Sequence, residues 1–177
     1  MARSSSSSSS TPSGTPRDVA KFLVDLKPIL STATEARRNW VRRIGILMED
    51  ARRGNATALT ASASSTGRDY VNIFRSARER VDRITPPRGC SECHRALARW
   101  LDKLIAACEL LVEVGISGNV SRIRETQGIL AEGRVHATRF NEEYAGLIKD
   151  LREKVATLSA RQRERQRARV RRSADEE

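Results

Sequence analysis

Aromatic residues are scarce in this sequence, and their scarcity narrows the range of possible folds. The 177 residues include 2 Trp, 2 Tyr and 3 Phe, so a hydrophobic core has to be built from Leu, Ile, Val and Ala. Packed helices accept that mixture, whereas a sheet sandwich favours aromatic and β-branched residues. The chain is also long enough to form one domain with its own core. The composition therefore predicts an all-α domain.

Long apolar runs are absent as well. No stretch of about 20 apolar residues occurs, which argues against a membrane-spanning helix. Residues 1–16 lack the apolar segment of a secretory signal peptide. The chain has 3 cysteines, an odd number that does not suit a disulfide framework. We expect a cytoplasmic protein with reduced thiols and no insertion into a membrane.

Sequence patterns of common catalytic sites are also missing. There is no Gly-rich phosphate loop and no Gly-x-Ser-x-Gly elbow. Glu142 and Glu143 are adjacent, so on a helix they diverge and make a poor acid and base pair. Carboxylate bundles that hold two metal ions use Glu-x-x-His on facing helices, and this motif does not occur. We predict no enzymatic activity and no cofactor.

Four segments carry apolar residues at steps of three and four, which is the spacing of one helix face. The segments span residues 19–51, 66–84, 91–112 and 123–158. Pro28 lies inside the first segment and predicts a kink or a short break, because proline has no backbone N–H to donate. Ser91 is a favourable N-cap for the third segment.

Turn signals separate the four segments, so each connection is short. They are Gly54-Asn55, Pro86-Pro87 and Gly118-Asn119. Short connections between amphipathic helices favour antiparallel neighbours. We predict an antiparallel four-helix bundle of two helical hairpins over residues 17–158. A disordered Ser-rich leader (1–16) precedes it and an Arg-rich tail (159–177) follows.

One short motif carries residues that could hold a cofactor. Cys90-Ser-Glu-Cys93-His94 resembles the haem-attachment motif of c-type cytochromes. The resemblance implies two thioethers between the thiols and the haem, with the histidine as iron ligand. Cytochromes c-prime of that family are themselves four-helix bundles, but there the motif lies on the last helix, whereas here it opens the third.

The same residues permit three other interpretations. A zinc site would need four ligands, and adjacent Cys93 and His94 point about 100° apart on a helix. A reactive dithiol would use the helix dipole to stabilise a thiolate. We favour the third interpretation, in which Cys93 is a small buried side chain and His94 is a polar residue of the first turn. His136 lies opposite Arg99 in the predicted hairpin, a helical turn or more from Cys93, and is therefore too distant to be the fourth zinc ligand.

The distribution of charge marks the tail as a second candidate site. Net charge is +8 over residues 1–88, zero over 89–158 and +3 over 159–177. Arg supplies 28 of the 33 cations, a bias that suits phosphate recognition but is also typical of GC-rich genomes. The candidate polyanion-binding residues of the tail are Arg161, Arg163, Arg165, Arg167, Arg169, Arg171 and Arg172.

Three hypotheses for function follow from these features. The first is a non-enzymatic interaction or scaffold module that binds an unknown protein partner or a second copy of itself. The second is association with nucleic acid through the basic N-terminal half and the tail, where arginines would contact phosphates. The third is a haem or metal protein that uses Cys90, Cys93 and His94. The tail could equally be a solubilising extension whose cations suit the C-terminal end of a helix.

Overall fold

The computed structural model describes residues 14–54 and 56–174, which form four α-helices. They are α1 (Pro16–Arg53), α2 (Ala56–Asp82), α3 (Ser91–Ser117) and α4 (Glu125–Ala174), with a short 3₁₀ helix (Val120–Arg124) before α4. These residues contain no strand. The predicted all-α class is confirmed.

The helices pack in the order in which they follow one another in the chain. α2 packs on α1, α3 on α2 and α4 on α3, while α4 returns to α1 through a much smaller contact. Because the connections are short, consecutive helices run in opposite directions. The antiparallel four-helix bundle is therefore confirmed. The start of α1, the loop of residues 83–90 and the later turns of α4 meet at one end of it.

The first helix begins with a side-chain cap at Thr15. Its hydroxyl oxygen accepts from the backbone N–H of Asp18 at 3.2 Å, and the Asp18 carboxylate accepts from the Thr15 N–H at 3.1 Å. Pro16 follows at the first helical position, where its missing N–H costs nothing. Residues 1–13 of the predicted leader lie outside the described residues, whereas Thr15 and Pro16 belong to the start of α1.

Pro28 does not break α1, so of the predicted kink or break the break is wrong. The helix is continuous from Pro16 to Arg53. Pro28 and Val24 both lie on the solvent side, and Val24 is 67% exposed. The Val24 carbonyl that loses its helical partner can therefore hydrogen-bond to water, which lowers the cost of the proline.

The core runs the length of the bundle, and leucine and alanine are its commonest residues. Trp40 of α1 and Phe74 of α2 pack edge to face within it, with ring centroids 6.0 Å apart. α3 contributes the largest share because it is covered on most of its circumference. Its buried side chains include Leu97, Leu101, Leu104, Ala107, Leu111 and Val114.

α2 and α3 approach each other closely because small residues meet at their crossing. A Cβ placed on Gly67 would lie 2.5 Å from the carbonyl oxygen of Cys108. Such distances are too short for any side chain, so glycine is needed there. The first turns of α2 also contact α3 at this crossing, although they precede the apolar stripe that begins at Thr66. The first turns of α2 therefore pack on α3 through small residues at the crossing and through buried Leu59.

α4 is much longer than the other helices. It has 50 residues and continues past the N-terminus of α1. Pro16, the first residue of α1, lies in one groove with Leu158 and Arg161. We call residues 159–174 the arm; the structure describes its side chains as far as Arg167. Length does not make α4 a membrane helix, because no described helix is apolar enough over a sufficient length to cross a bilayer.

Candidate functional site

The Cys-x-x-Cys-His motif lies at the junction between the 83–90 loop and α3. Cys90 is the N-cap of α3, and its N–H donates to the carbonyl of Pro87 at 3.0 Å. The cap is therefore one residue earlier than the predicted Ser91, which is the first helical residue. Cys90 and Cys93 are both 0% exposed. Neither thiol reaches solvent.

His94 is half-buried and already bonded. Its Nε2 lies 2.9 Å from the carbonyl oxygen of Val81, and since a carbonyl only accepts, Nε2 carries the proton and donates. The ring also packs near Phe22 of α1, with centroids 6.5 Å apart. His94 thus ties the start of α3 to the end of α2 and contacts α1. The bond uses Nε2 and leaves Nδ1 as the unprotonated nitrogen of the ring.

Burial makes the thiols poor nucleophiles. Loss of water raises the pKa of Cys93 to about 12, and the neighbouring Cys90 and Glu143 add to the rise. Burial likewise raises the pKa of Cys90 above its ordinary value and, more strongly, that of Cys108. Each thiol therefore stays protonated near neutral pH, which argues against the reactive-dithiol interpretation.

The geometry of the motif does not fit a metal or a haem. Within residues 14–54 and 56–174, no three His, Cys, Asp or Glu side chains are placed to hold one ion. The cavity next to the motif, lined by Val19, Gly89 and Leu151 among others, measures about 200 Å³. Pockets for ligands of ordinary size measure roughly 300–1,000 Å³, so a haem would not enter.

The register of α3 against α4 places His136 away from the cysteines. Lys103 of α3 pairs with Glu132 of α4, and Gly133 lies against the Lys103 side chain. In antiparallel helices this pair sets His136 opposite Arg99, which lies six residues after Cys93 and nine before Cys108 on α3. The second histidine is therefore not brought to the motif.

The arm presents its arginines to solvent. Residues 160–167 are all exposed, among them Arg161, Arg163, Arg165 and Arg167. No carboxylate among the described side chains forms an ion pair with any of these four. Arg169, Arg171 and Arg172 lie on the helical backbone of the arm, but their side chains are outside the described part of the chain.

Several arginines of the bundle, in contrast, are neutralised by carboxylates on neighbouring helices. These pairs bridge α1 to α2 and α2 to α3. They are Arg43 with Asp69 at 2.5 Å, Arg75 with Glu109 at 2.6 Å and Arg78 with Asp102 at 2.8 Å. The positive charge of residues 1–88 is thus partly used to hold the helices together, whereas the arm's charge is free for a ligand.

The sequence pattern did not indicate two surface features at the ends of the bundle. A groove of about 530 Å³ lies where α4 leaves the bundle, beside half-exposed Leu158. A cavity of about 520 Å³ lies at the opposite end, between the last turns of α1 and the start of α4, and includes Arg52 and Arg124. Both depend on which helix ends meet, which residue spacing alone does not fix.

Comparison with known proteins gives no counterpart for the bundle, the motif or the arm. No protein-family model, curated protein or solved structure matches the chain.

Proposed function

We propose that the protein is a non-enzymatic helical binding module whose arm binds the phosphates of nucleic acid. The observation that supports this proposal is the set of four exposed arginines without carboxylate partners, carried on a helix beyond the bundle. Arginine forks bind phosphate oxygens in pairs, and each contact releases counterions from the nucleic acid. An arm of this kind gains affinity without an active site.

The bundle gives the arm a fixed direction. Leu147 and Leu151 are half-buried and pack against the core, so the turns of α4 just before the arm are anchored. Because the arm continues the same helix, its arginines are held in a regular array before a ligand arrives. Preorganisation reduces the conformational entropy that binding would otherwise cost.

A salt titration tests the proposal with a charge-matched control. The arm variant replaces Arg161, Arg163, Arg165 and Arg167 with Gln. The control variant replaces four exposed cations of the bundle with Gln and so has the same net charge. Those cations are Arg38, Arg42, Arg99 and Arg134.

Binding of each protein to a labelled DNA duplex is measured by fluorescence anisotropy at several salt concentrations. For the arm variant we expect the slope of log affinity against log salt to become shallower by about four units, one for each lost phosphate contact. The control should keep nearly the full slope. Equal losses in the two variants would show that net charge, and not the arm, governs binding.

A second candidate function is self-association at the base of the arm. Val155 is 50% and Leu158 54% exposed, and they continue the apolar stripe of α4 past the bundle. Two chains paired antiparallel across these residues would keep their arms apart. Sedimentation at increasing protein concentration tests this, with Leu158→Glu as the variant that should stay monomeric. A monomer at all concentrations removes this candidate.

A further inference from the structure

We infer that the arm lies in the major groove of duplex DNA, an inference that rests on the proposed nucleic-acid binding. A helix with its side chains is about 10–12 Å across, and the major groove of B-form DNA is about 12 Å wide. A phosphate backbone borders this groove on each side. A helix in the groove therefore needs cations on two opposite faces, and a face between them that can approach the bases.

The described arginines of the arm form two such faces. Successive helical residues are about 100° apart, so residues four apart lie nearly above one another. Arg161 and Arg165 form one stripe, and Arg163 and Arg167 form the other. The two stripes lie about 160° apart around the helix axis. Each stripe then faces one of the two phosphate backbones.

The two surfaces between the stripes differ in charge. Gln162 and Gln166 lie midway between the stripes on one side, and Glu164 lies midway on the other. Glutamine amides can donate to and accept from base edges, whereas phosphates repel a carboxylate. With the glutamines toward the floor of the groove, Glu164 faces away from the DNA. The arm thus has one orientation in which every described charge is favourably placed.

This geometry selects duplex DNA among nucleic acids. The major groove of A-form RNA is deep and narrow, and side chains cannot read it. A single strand has no second backbone at a fixed distance from the first. At 16 residues and 1.5 Å per residue, the arm is about 24 Å long, enough for several turns of contact within the groove.

The test moves the arginines without changing their number. The variant exchanges Gln162 with Arg163 and Gln166 with Arg167, written Gln162→Arg, Arg163→Gln, Gln166→Arg and Arg167→Gln. Composition and net charge are unchanged, but the four arginines now lie within about 140° on one side of the helix. Circular dichroism checks that this permuted variant has the same helix content.

We expect the permuted variant to bind a DNA duplex at least about tenfold more weakly than the natural chain. Its salt slope should be shallower by about two units, because two arginines no longer reach the second backbone. A duplex RNA of the same sequence should bind the two proteins equally and more weakly. Equal DNA affinity of the two proteins, or equally tight RNA binding, would overturn the groove assignment.

Chemical protection gives an independent readout on the full-length protein. Dimethyl sulfate methylates guanine N7 in the major groove and adenine N3 in the minor groove, so bound protein should protect N7 and leave N3 reactive. Protection of N3 alone would overturn the groove assignment while leaving the proposed function intact. A chain ended after Ser159 that binds DNA like the full-length chain would overturn the proposed function itself.

Discussion

Gly115 of α3 lies against Ser64 of α2 so closely that a Cβ on Gly115 would be 2.3 Å from the Ser64 Cβ. The carbonyl oxygen of Thr60 would be 2.8 Å away. Neither neighbour is the end of a flexible side chain, so a side chain at Gly115 can be accommodated only if the two helices separate. This contact and the one at Gly67 set the distance between α2 and α3.

Replacement of Gly115 or Gly67 with Ala should destabilise the bundle. Overpacking typically costs about 1–3 kcal/mol, which exceeds the roughly 1 kcal/mol that Gly→Ala gains inside a helix. Urea denaturation followed by circular dichroism measures the difference. Gly45→Ala is the matched control, because a Cβ there meets nothing within 4 Å and should stabilise α1. Stabilisation by all three substitutions would contradict the close crossing.

Leu104 and Leu147 should differ in their contribution to stability, although the periodicity predicts both as core residues. Leu104 is 1% exposed, whereas Leu147 is only half-buried near the end where α4 leaves the bundle. Leu104→Ala should cost about 2–5 kcal/mol because it leaves a cavity in a closed core. Leu147→Ala should cost clearly less. Equal losses in urea denaturation would mean that the end of the bundle is packed as tightly as its centre.

Stability should fall in the alkaline range because of the buried thiols. The pKa of Cys93 is raised from 9.0 to about 12, so the folded state keeps its proton where the unfolded state loses it. The contribution of Cys93 is therefore complete below pH 9 and is lost as the pH rises from 9 to 12. Chemical denaturation across this range should show a smaller decline in Cys93→Ala than in the natural chain. If the stability of both proteins declined equally, the loss would come from titrating groups other than Cys93.

The Thr15 cap should be measurable as a stability difference. Thr15→Ala removes the side-chain oxygen that bonds the Asp18 N–H and should cost about 0.5–2 kcal/mol. Thr34→Ala, an exposed position inside α1, is the control and should be neutral or favourable, because Ala is the better helix former. We accordingly expect deletion of residues 1–16 to lower the Tm. An unchanged Tm would show that the cap contributes nothing.

Chelation should leave the fold unchanged, since the described residues offer no group of metal ligands around Cys93 and His94. Thermal melts with and without a strong chelator, followed by circular dichroism, measure this. Loss of helix on chelation would restore a structural metal, because metal binding and folding are coupled in such sites.

The apolar periodicity was sufficient to predict the helices that bury large side chains. The stripes around Trp40, Leu104 and Phe140 are each clear in the sequence, and each lies in a helix that packs on the core. The first turns of α2 were not visible in the same way. Ala63 and Ser64 pack there by being small, and small residues leave no apolar stripe to detect.

The candidate sites were predictable in part. The composition of the tail identified the arginines of the arm, but their use as two stripes depends on α4 remaining helical past Leu158. The burial of Cys90 and the hydrogen bond of His94 could not be predicted from the spacing of the motif. His94 bonds the carbonyl of Val81 at the end of α2, a contact that exists only once α2 and α3 are paired, and Cys90 is buried by the same packing.

The interface between α1 and α4 is the smallest between neighbouring helices, so it is the least stable interface of the bundle. The other neighbouring pairs are joined by short connections and pack more extensively, so separation of α1 from α4 breaks the least structure. Local opening follows the least costly route. In hydrogen–deuterium exchange, the amides of α1 and the first half of α4 should therefore exchange before those of α3, whose protection should report opening of the whole molecule.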